Sequence, residues 1–125
     1  MELREIVSKV KLYLFDMDGT IYIGNKLFDF TKELLEKIRQ KGCRYLFVTN
    51  NSAKSVQDYC KKLEKLGIAA QYEDFLTSSQ AAAYYLKNHH PNARLYVCGT
   101  TSFKEELLRE GFTITEHLDD TDCVV

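Results

Sequence analysis

Asp16 and Asp18, one residue apart at the end of the apolar run Leu12-Tyr13-Leu14-Phe15, are the residues of this chain best placed to do chemistry. Residues two apart on an extended backbone point the same way, so both carboxylates can face one substrate while Met17 points elsewhere. Two carboxylates this close repel each other unless a cation or a shared proton relieves them. A hard cation such as Mg²⁺ takes oxygen ligands and commonly bridges one or two carboxylates to a phosphate. The pattern therefore suits phosphoryl transfer. Gly19 lets the chain turn sharply straight after the pair, ahead of Thr20. The competing reading is a polar turn whose aspartates hydrogen-bond their own backbone.

A second segment repeats that layout. Tyr45-Leu46-Phe47-Val48 is another apolar run, and it ends on the small polar side chains Thr49-Asn50-Asn51-Ser52. A hydroxyl and an amide at a strand's mouth, followed by the N–H groups of a turn leading into a helix, can hold phosphate oxygens. Ser52 or Ser55 can equally cap the helix that follows.

Positioning these side chains needs strands that end where ligands bind, at the carboxyl edge of an open α/β sheet. Strand and helix signals alternate along the chain, which predicts an α/β domain with a mostly parallel sheet flanked by helices. Strands are expected near Leu12–Phe15, the first of them buried on both faces, and near Arg44–Val48, Phe75–Thr77, Leu95–Cys98 and Cys123–Val125. Helices are expected from Thr31 to Gln40, with Gly42 as the stop, and from Ser55 to about Leu66, ahead of Gly67. A third opens at Thr77 or Ser79, with Gln80 placed to close a capping box on Thr77, and runs to about Asn88. A fourth opens on Ser102 and Glu105 and stops at Gly111. Tyr59, Tyr84 and Tyr85 lie on these helices and read as packing residues.

In order, Phe15-Asp16-Met17-Asp18-Gly19-Thr20-Ile21-Tyr22 with Gly24, Val48-Thr49-Asn50-Asn51-Ser52, Leu66-Gly67-Ile68, Thr77-Ser78-Ser79 and Val97-Cys98-Gly99 resemble the haloacid dehalogenase-like phosphatases. The chain is most similar to their NagD-like, 4-nitrophenylphosphatase-type branch. The resemblance implies an incomplete Rossmann-like core, with Asp16 as the nucleophile that forms an aspartyl-phosphate and Asp18 as the acid and base. It also implies Mg²⁺ on the Asp16 carboxylate and the Asp18 main-chain carbonyl. Thr49 would bind the phosphoryl group through its hydroxyl and Asn50 through its N–H, and Gly24 to Asp29 would form a flap for substrate entry. The same resemblance implies a lysine and a further acidic pair that are not recognisable here. The chain thus reads as the N-terminal portion of the core, with the cap domain and the C-terminal portion of the core absent. An incomplete sheet would leave an apolar edge that favours self-association.

Two other readings compete. A phospho-acceptor receiver domain has this length, but it needs an aspartate at the end of a middle strand, and neither Phe75-Leu76-Thr77-Ser78 nor Val48-Thr49 offers one. A non-catalytic phosphate-binding or assembly module fits the missing lysine and acidic pair. Composition narrows the field further. The 125 residues carry 17 basic and 18 acidic side chains, a formal net charge of −1 without a basic stripe, so nucleic acid is not favoured as a partner. No segment approaches the roughly 20 apolar residues of a membrane span, and the first residues lack the apolar stretch of a secretion signal, so a cytoplasmic location is expected. Cys43, Cys60, Cys98 and Cys123 are widely spaced and read as reduced core residues. His89-His90, just before Pro91, reads as a solvated helix end without a third metal ligand. The implied partner is a small phosphorylated substrate.

Overall fold

The computed structural model describes residues 2–125. Two compact units divide them: residues up to Thr49 together with Lys62–Leu76, and Asn50–Lys61 together with Thr77–Val125.

The chain opens with helix α1 (Leu3–Lys9), strand β1 (Leu12–Asp16), a short hairpin of β2 (Tyr22–Ile23) and β3 (Lys26–Leu27), helix α2 (Thr31–Gln40) and strand β4 (Arg44–Thr49). Strands β1 and β4 pair in parallel from Leu12 opposite Arg44 to Asp16 opposite Val48. Their alternating residues build an aromatic ridge, Tyr13 against Phe15 and Tyr45 against Phe47, which continues onto Phe75 with 5.5 Å between ring centroids. Helix α2 lays Leu35 and Ile38 into the core at the spacing its sequence predicts. Gly42, in the left-handed region at φ +68°, ends it.

After β4 come α3 (Val56–Lys65), β5 (Phe75–Thr77), α4 (Ser78–His89), β6 (Arg94–Tyr96), α5 (Thr101–Arg109), β7 (Thr113–Ile114) and β8 (Cys123–Val124). The strands form two three-stranded sheets, ordered β1-β4-β5 and β7-β6-β8, and the second is parallel throughout. Around β6 a core of Ala83, Leu86, Leu95, Val97, Phe103, Leu107 and Phe112 closes the second unit. The architecture is the expected α/β one, parallel sheets flanked by helices.

Several local expectations need correction. Strand β1 is not buried on both faces: Leu12 is 48% and Leu14 60% exposed, on a face that the described residues leave largely uncovered. Helix α5 starts at Thr101 rather than on Ser102 and Glu105. Thr100 takes the capping position, its Oγ1 accepting from the Phe103 N–H at 3.2 Å, while Glu105 pairs along the helix with Arg109. Tyr59 is fully buried as expected, but Tyr84 and Tyr85 lie on the outer face of α4, where Tyr85 stacks on His89. All four cysteines are free, and Cys98 is exposed because it lies past the end of β6 in the turn entering α5. His89 and His90 end α4 in solvent, and no group of three metal-ligating side chains occurs among the described residues. No helix of the described residues is long and apolar enough to cross a membrane.

Candidate active site

Strand β1 delivers Asp16 to its carboxyl end, and the next three residues decide where the two carboxylates point. Met17 is fully buried, whereas Asp16 and Asp18 on either side of it are exposed, so the pair shares the outward side of the backbone. The turn is held by the Met17 carbonyl, which accepts from the N–H groups of Thr20 at 3.2 Å and Ile21 at 2.9 Å. Gly19 donates its own N–H to the Tyr22 carbonyl at 2.8 Å. Ile21 and Tyr22 follow Met17 into the interior, and the buried Thr31 hydroxyl donates to the Ile21 carbonyl at 2.9 Å. The ammonium group of Lys62 lies 3.7 Å from the Tyr22 ring centroid, a cation–π contact that braces the turn from α3.

Gly19 sits at φ +82°, a conformation in which a side chain strains the backbone even though nothing lies within 4 Å of an added Cβ. Gly19→Ala is therefore expected to lower stability by about 1–2 kcal/mol, read from the urea midpoint. An unchanged midpoint would show that the turn tolerates another conformation.

The segment expected to be a flap is the β2/β3 hairpin. Its two central residues are Gly24, at φ +55°, and Asn25, the combination of a type II′ turn. Ile23 projects from it into solvent.

Strand β4 runs beside β1, so Thr49 stands one residue beyond Val48, the partner of Asp16 in the ladder. Strands lie about 4.8 Å apart, which brings Asp16 and Thr49 to neighbouring strand ends at one edge of the sheet. Thr49 is buried and both aspartates are exposed. Among the described residues no lysine or arginine forms an ion pair with Asp16 or Asp18. Oxygen donors gathered on one short turn with no cation paired to them fit part of the shell of a hard cation, one that keeps several waters.

Beyond Thr49, Asn50 opens a loop of six residues that is tied down inside the second unit. The Ser78 hydroxyl donates to the Asn50 carbonyl at 3.2 Å, and the Thr100 hydroxyl donates to the Ala53 carbonyl at 3.1 Å. Asn51 closes an Asx turn by accepting from the Ala53 N–H at 2.9 Å. Ser55, rather than Ser52, caps α3: its hydroxyl and N–H both engage the Asp58 carboxylate at 2.9 Å. The Ser55 N–H holds the Asp58 carboxyl below its ordinary range. A cavity of about 430 Å³ opens beside the loop, lined by Asn50, Ser52, Ser78, Thr100 and Phe103 among others.

Asp16, Asp18 and Thr49 thus lie at one sheet edge, Gly19 and Thr20 form the turn beside the acidic pair, and Gly24 shapes the hairpin. Asn50 begins the tied loop that follows. Sequence reading missed Ser78 and Thr100 as anchors of that loop. Their hydroxyls at helix starts were readable as caps, but their reach across 28 and 47 residues was not.

A family model for haloacid dehalogenase-like hydrolases matches residues 13–113. A chloroplastic phosphoglycolate phosphatase of Arabidopsis thaliana is 40% identical over 118 residues, 93% of this chain and 33% of the relative. The crystal structure of a 4-nitrophenylphosphatase from Thermotoga maritima superposes with a TM-score of 0.90 at 31% identity, covering 95% of this chain and 45% of that one. A glycerol phosphate phosphatase from Mycobacterium tuberculosis, solved in complex with magnesium, gives 0.80 at 31% identity over 95% of this chain and 36% of its own. The chain spans less than half the length of each of these proteins.

Proposed function

The chain belongs to the haloacid dehalogenase-like hydrolases, and on that premise we propose that it carries the nucleophile half of a phosphatase acting on a small phosphate monoester. The observation that carries this reading is the pair of exposed carboxylates around buried Met17, set at the strand end next to Thr49. In it, the Asp16 carboxylate attacks phosphorus in line and the P–O bond to the leaving group breaks, giving an aspartyl-phosphate. Asp18 donates its proton to the departing alkoxide oxygen and then, as carboxylate, accepts a proton from the water that hydrolyses the acyl phosphate. The Thr49 hydroxyl and the Asn50 N–H donate to the equatorial oxygens of the phosphoryl group.

Mg²⁺ would be held by the Asp16 carboxylate and the Asp18 main-chain carbonyl, where it would neutralise charge on the phosphoryl oxygens. The relative solved with magnesium supports that choice of cation. The organic part of the substrate is left to the class the relatives' names describe, small phosphorylated acids and polyols.

Thr49→Val tests the cradle, because it exchanges a hydroxyl for a methyl of similar shape. Affinity for inorganic phosphate with Mg²⁺, measured by titration calorimetry, is expected to weaken by about 1–3 kcal/mol while the circular dichroism spectrum is unchanged. Equal affinity in the two proteins would remove Thr49 from the site and leave the reading without its side-chain phosphate donor.

A further inference from the structure

Glu106 is a buried acidic residue that the proposed reaction does not use. It lies on α5, 2% exposed, with its Oε2 accepting from the Val56 N–H at 3.4 Å. No hydrogen-bond partner meets its Oε1 among the described residues. Val56 is the first residue of α3, so the carboxylate satisfies one of the N–H groups that a helix start leaves open, and its charge suits the helix dipole.

Glu106 thereby fixes one end of the loop that begins at Asn50, whose carbonyls at Asn50 and Ala53 are held by Ser78 and Thr100. In a trans peptide the carbonyl and the following N–H point in opposite directions. Tying those two carbonyls back therefore turns the N–H groups of Asn51 and Lys54 the other way, as a loop that receives an anion requires.

We infer that Glu106 is a positioning residue of this loop: from α5 it anchors the start of α3 and so sets the direction of the loop's N–H groups, and its hold changes when the carboxyl takes up a proton. The inference rests on the phosphate-site reading above. Ionised, Glu106 keeps an acceptor on the Val56 N–H but leaves Oε1 as a buried charge without a partner. Protonated, it loses that charge and the pull on the helix start weakens. The groups that act on it are Arg109, which favours the ionised form, and Glu110 and Asp58, which disfavour it. Burial outweighs the Val56 N–H bond and Arg109, and lifts the carboxyl above its ordinary 4.5. A folded-state value above the unfolded one means that Glu106 contributes stability below pH 4.5, which is lost as pH rises through the raised value.

Two measurements on this chain test the inference. Without ligand, ¹⁵N NMR between pH 4 and 8 is expected to show the amides of Val56 and of the Asn50–Ala53 loop shifting together, with a midpoint above 4.5. Glu106→Gln should remove that midpoint while keeping the loop's shift dispersion, and Asp58→Asn should retain it, moved lower because one like charge is gone. Loop amides that do not move, or a midpoint that survives Glu106→Gln and vanishes in Asp58→Asn, would overturn the assignment.

The second measurement is a titration with sulfate and Mg²⁺, chosen because sulfate does not titrate in this range. Glu106→Ala should weaken binding about tenfold at pH 7, and Glu106→Gln, which resembles the protonated carboxyl, should bind at every pH as wild type does at the low end of its pH series. Should Glu106→Ala fail to fold, the glutamine variant and the wild-type pH series carry the same decision. Sulfate binding unchanged in Glu106→Ala would overturn the role of Glu106 alone. No sulfate response at Asn50 in the wild-type chain would overturn the phosphate reading and this role with it, whatever the pH series shows.

Discussion

Asp16→Asn in a longer, active form of this protein is expected to abolish hydrolysis of an aryl phosphate, with a loss well beyond the roughly hundredfold at the lower end of acid–base catalysis. An amide nitrogen has no lone pair to offer phosphorus, and an amide oxygen is a poor nucleophile, so no aspartyl-phosphate forms. The fold should survive, because Asp16 is exposed and its ladder contacts with Val48 are made by the backbone. Asp18→Asn should cripple turnover less completely, since it removes the proton donor and leaves the nucleophile. The two variants are separable by rapid quench: Asp16→Asn should show no phosphoryl-enzyme, whereas Asp18→Asn should accumulate it with a good leaving group. Near-normal turnover by Asp16→Asn in the presence of Mg²⁺ would sink the mechanism.

What the sequence disclosed depended on how local each feature is. Strands β1 and β4 were readable because each is an uninterrupted apolar run that stops on polar residues, and α4 because Thr77 and Gln80 form both halves of a capping box three residues apart. The outward pairing of Asp16 and Asp18 followed from the two-residue period of an extended chain. Strands β2, β3 and β7, of two residues each, carried no periodicity signal. Helix α1 was missed although Leu3, Ile6 and Val7 have helical spacing, and in the structure that stripe is exposed. Contacts between distant segments were beyond reach for a different reason. Glu106 reads as one more acid on an amphipathic helix, and only the fold brings it to Val56, fifty residues earlier. The exposure of Leu12 and Leu14 was equally hidden, since an apolar strand predicts burial and cannot show which neighbour is missing.

That exposure, with the acidic pair, leads to the second large expected effect: the 125-residue chain by itself should show little or no phosphatase activity and should self-associate. Phosphoryl transfer needs positive charge on the equatorial oxygens and a metal held firmly, and electrostatic stabilisation is usually the largest catalytic contribution. Among the described residues no third acidic side chain completes a metal site, and no cation pairs with Asp16 or Asp18. Metal should therefore bind weakly, and the charge that develops on the phosphoryl group goes largely unbalanced. The same unit exposes Leu12 and Leu14 on β1, and strand β1 is the edge of its sheet, with unpaired backbone groups along one side. An apolar edge strand of five residues without an inward charge or a proline is a ready template for another chain. Leu14→Lys should blunt that edge and shift the light-scattering mass toward the monomer, without restoring activity, because it adds nothing to the metal site. Purified chain assayed with Mg²⁺ and an aryl phosphate alongside light scattering decides the matter. Robust turnover from a monodisperse monomer would mean that the residues present already balance the charge of the transition state and that β1 needs no further partner.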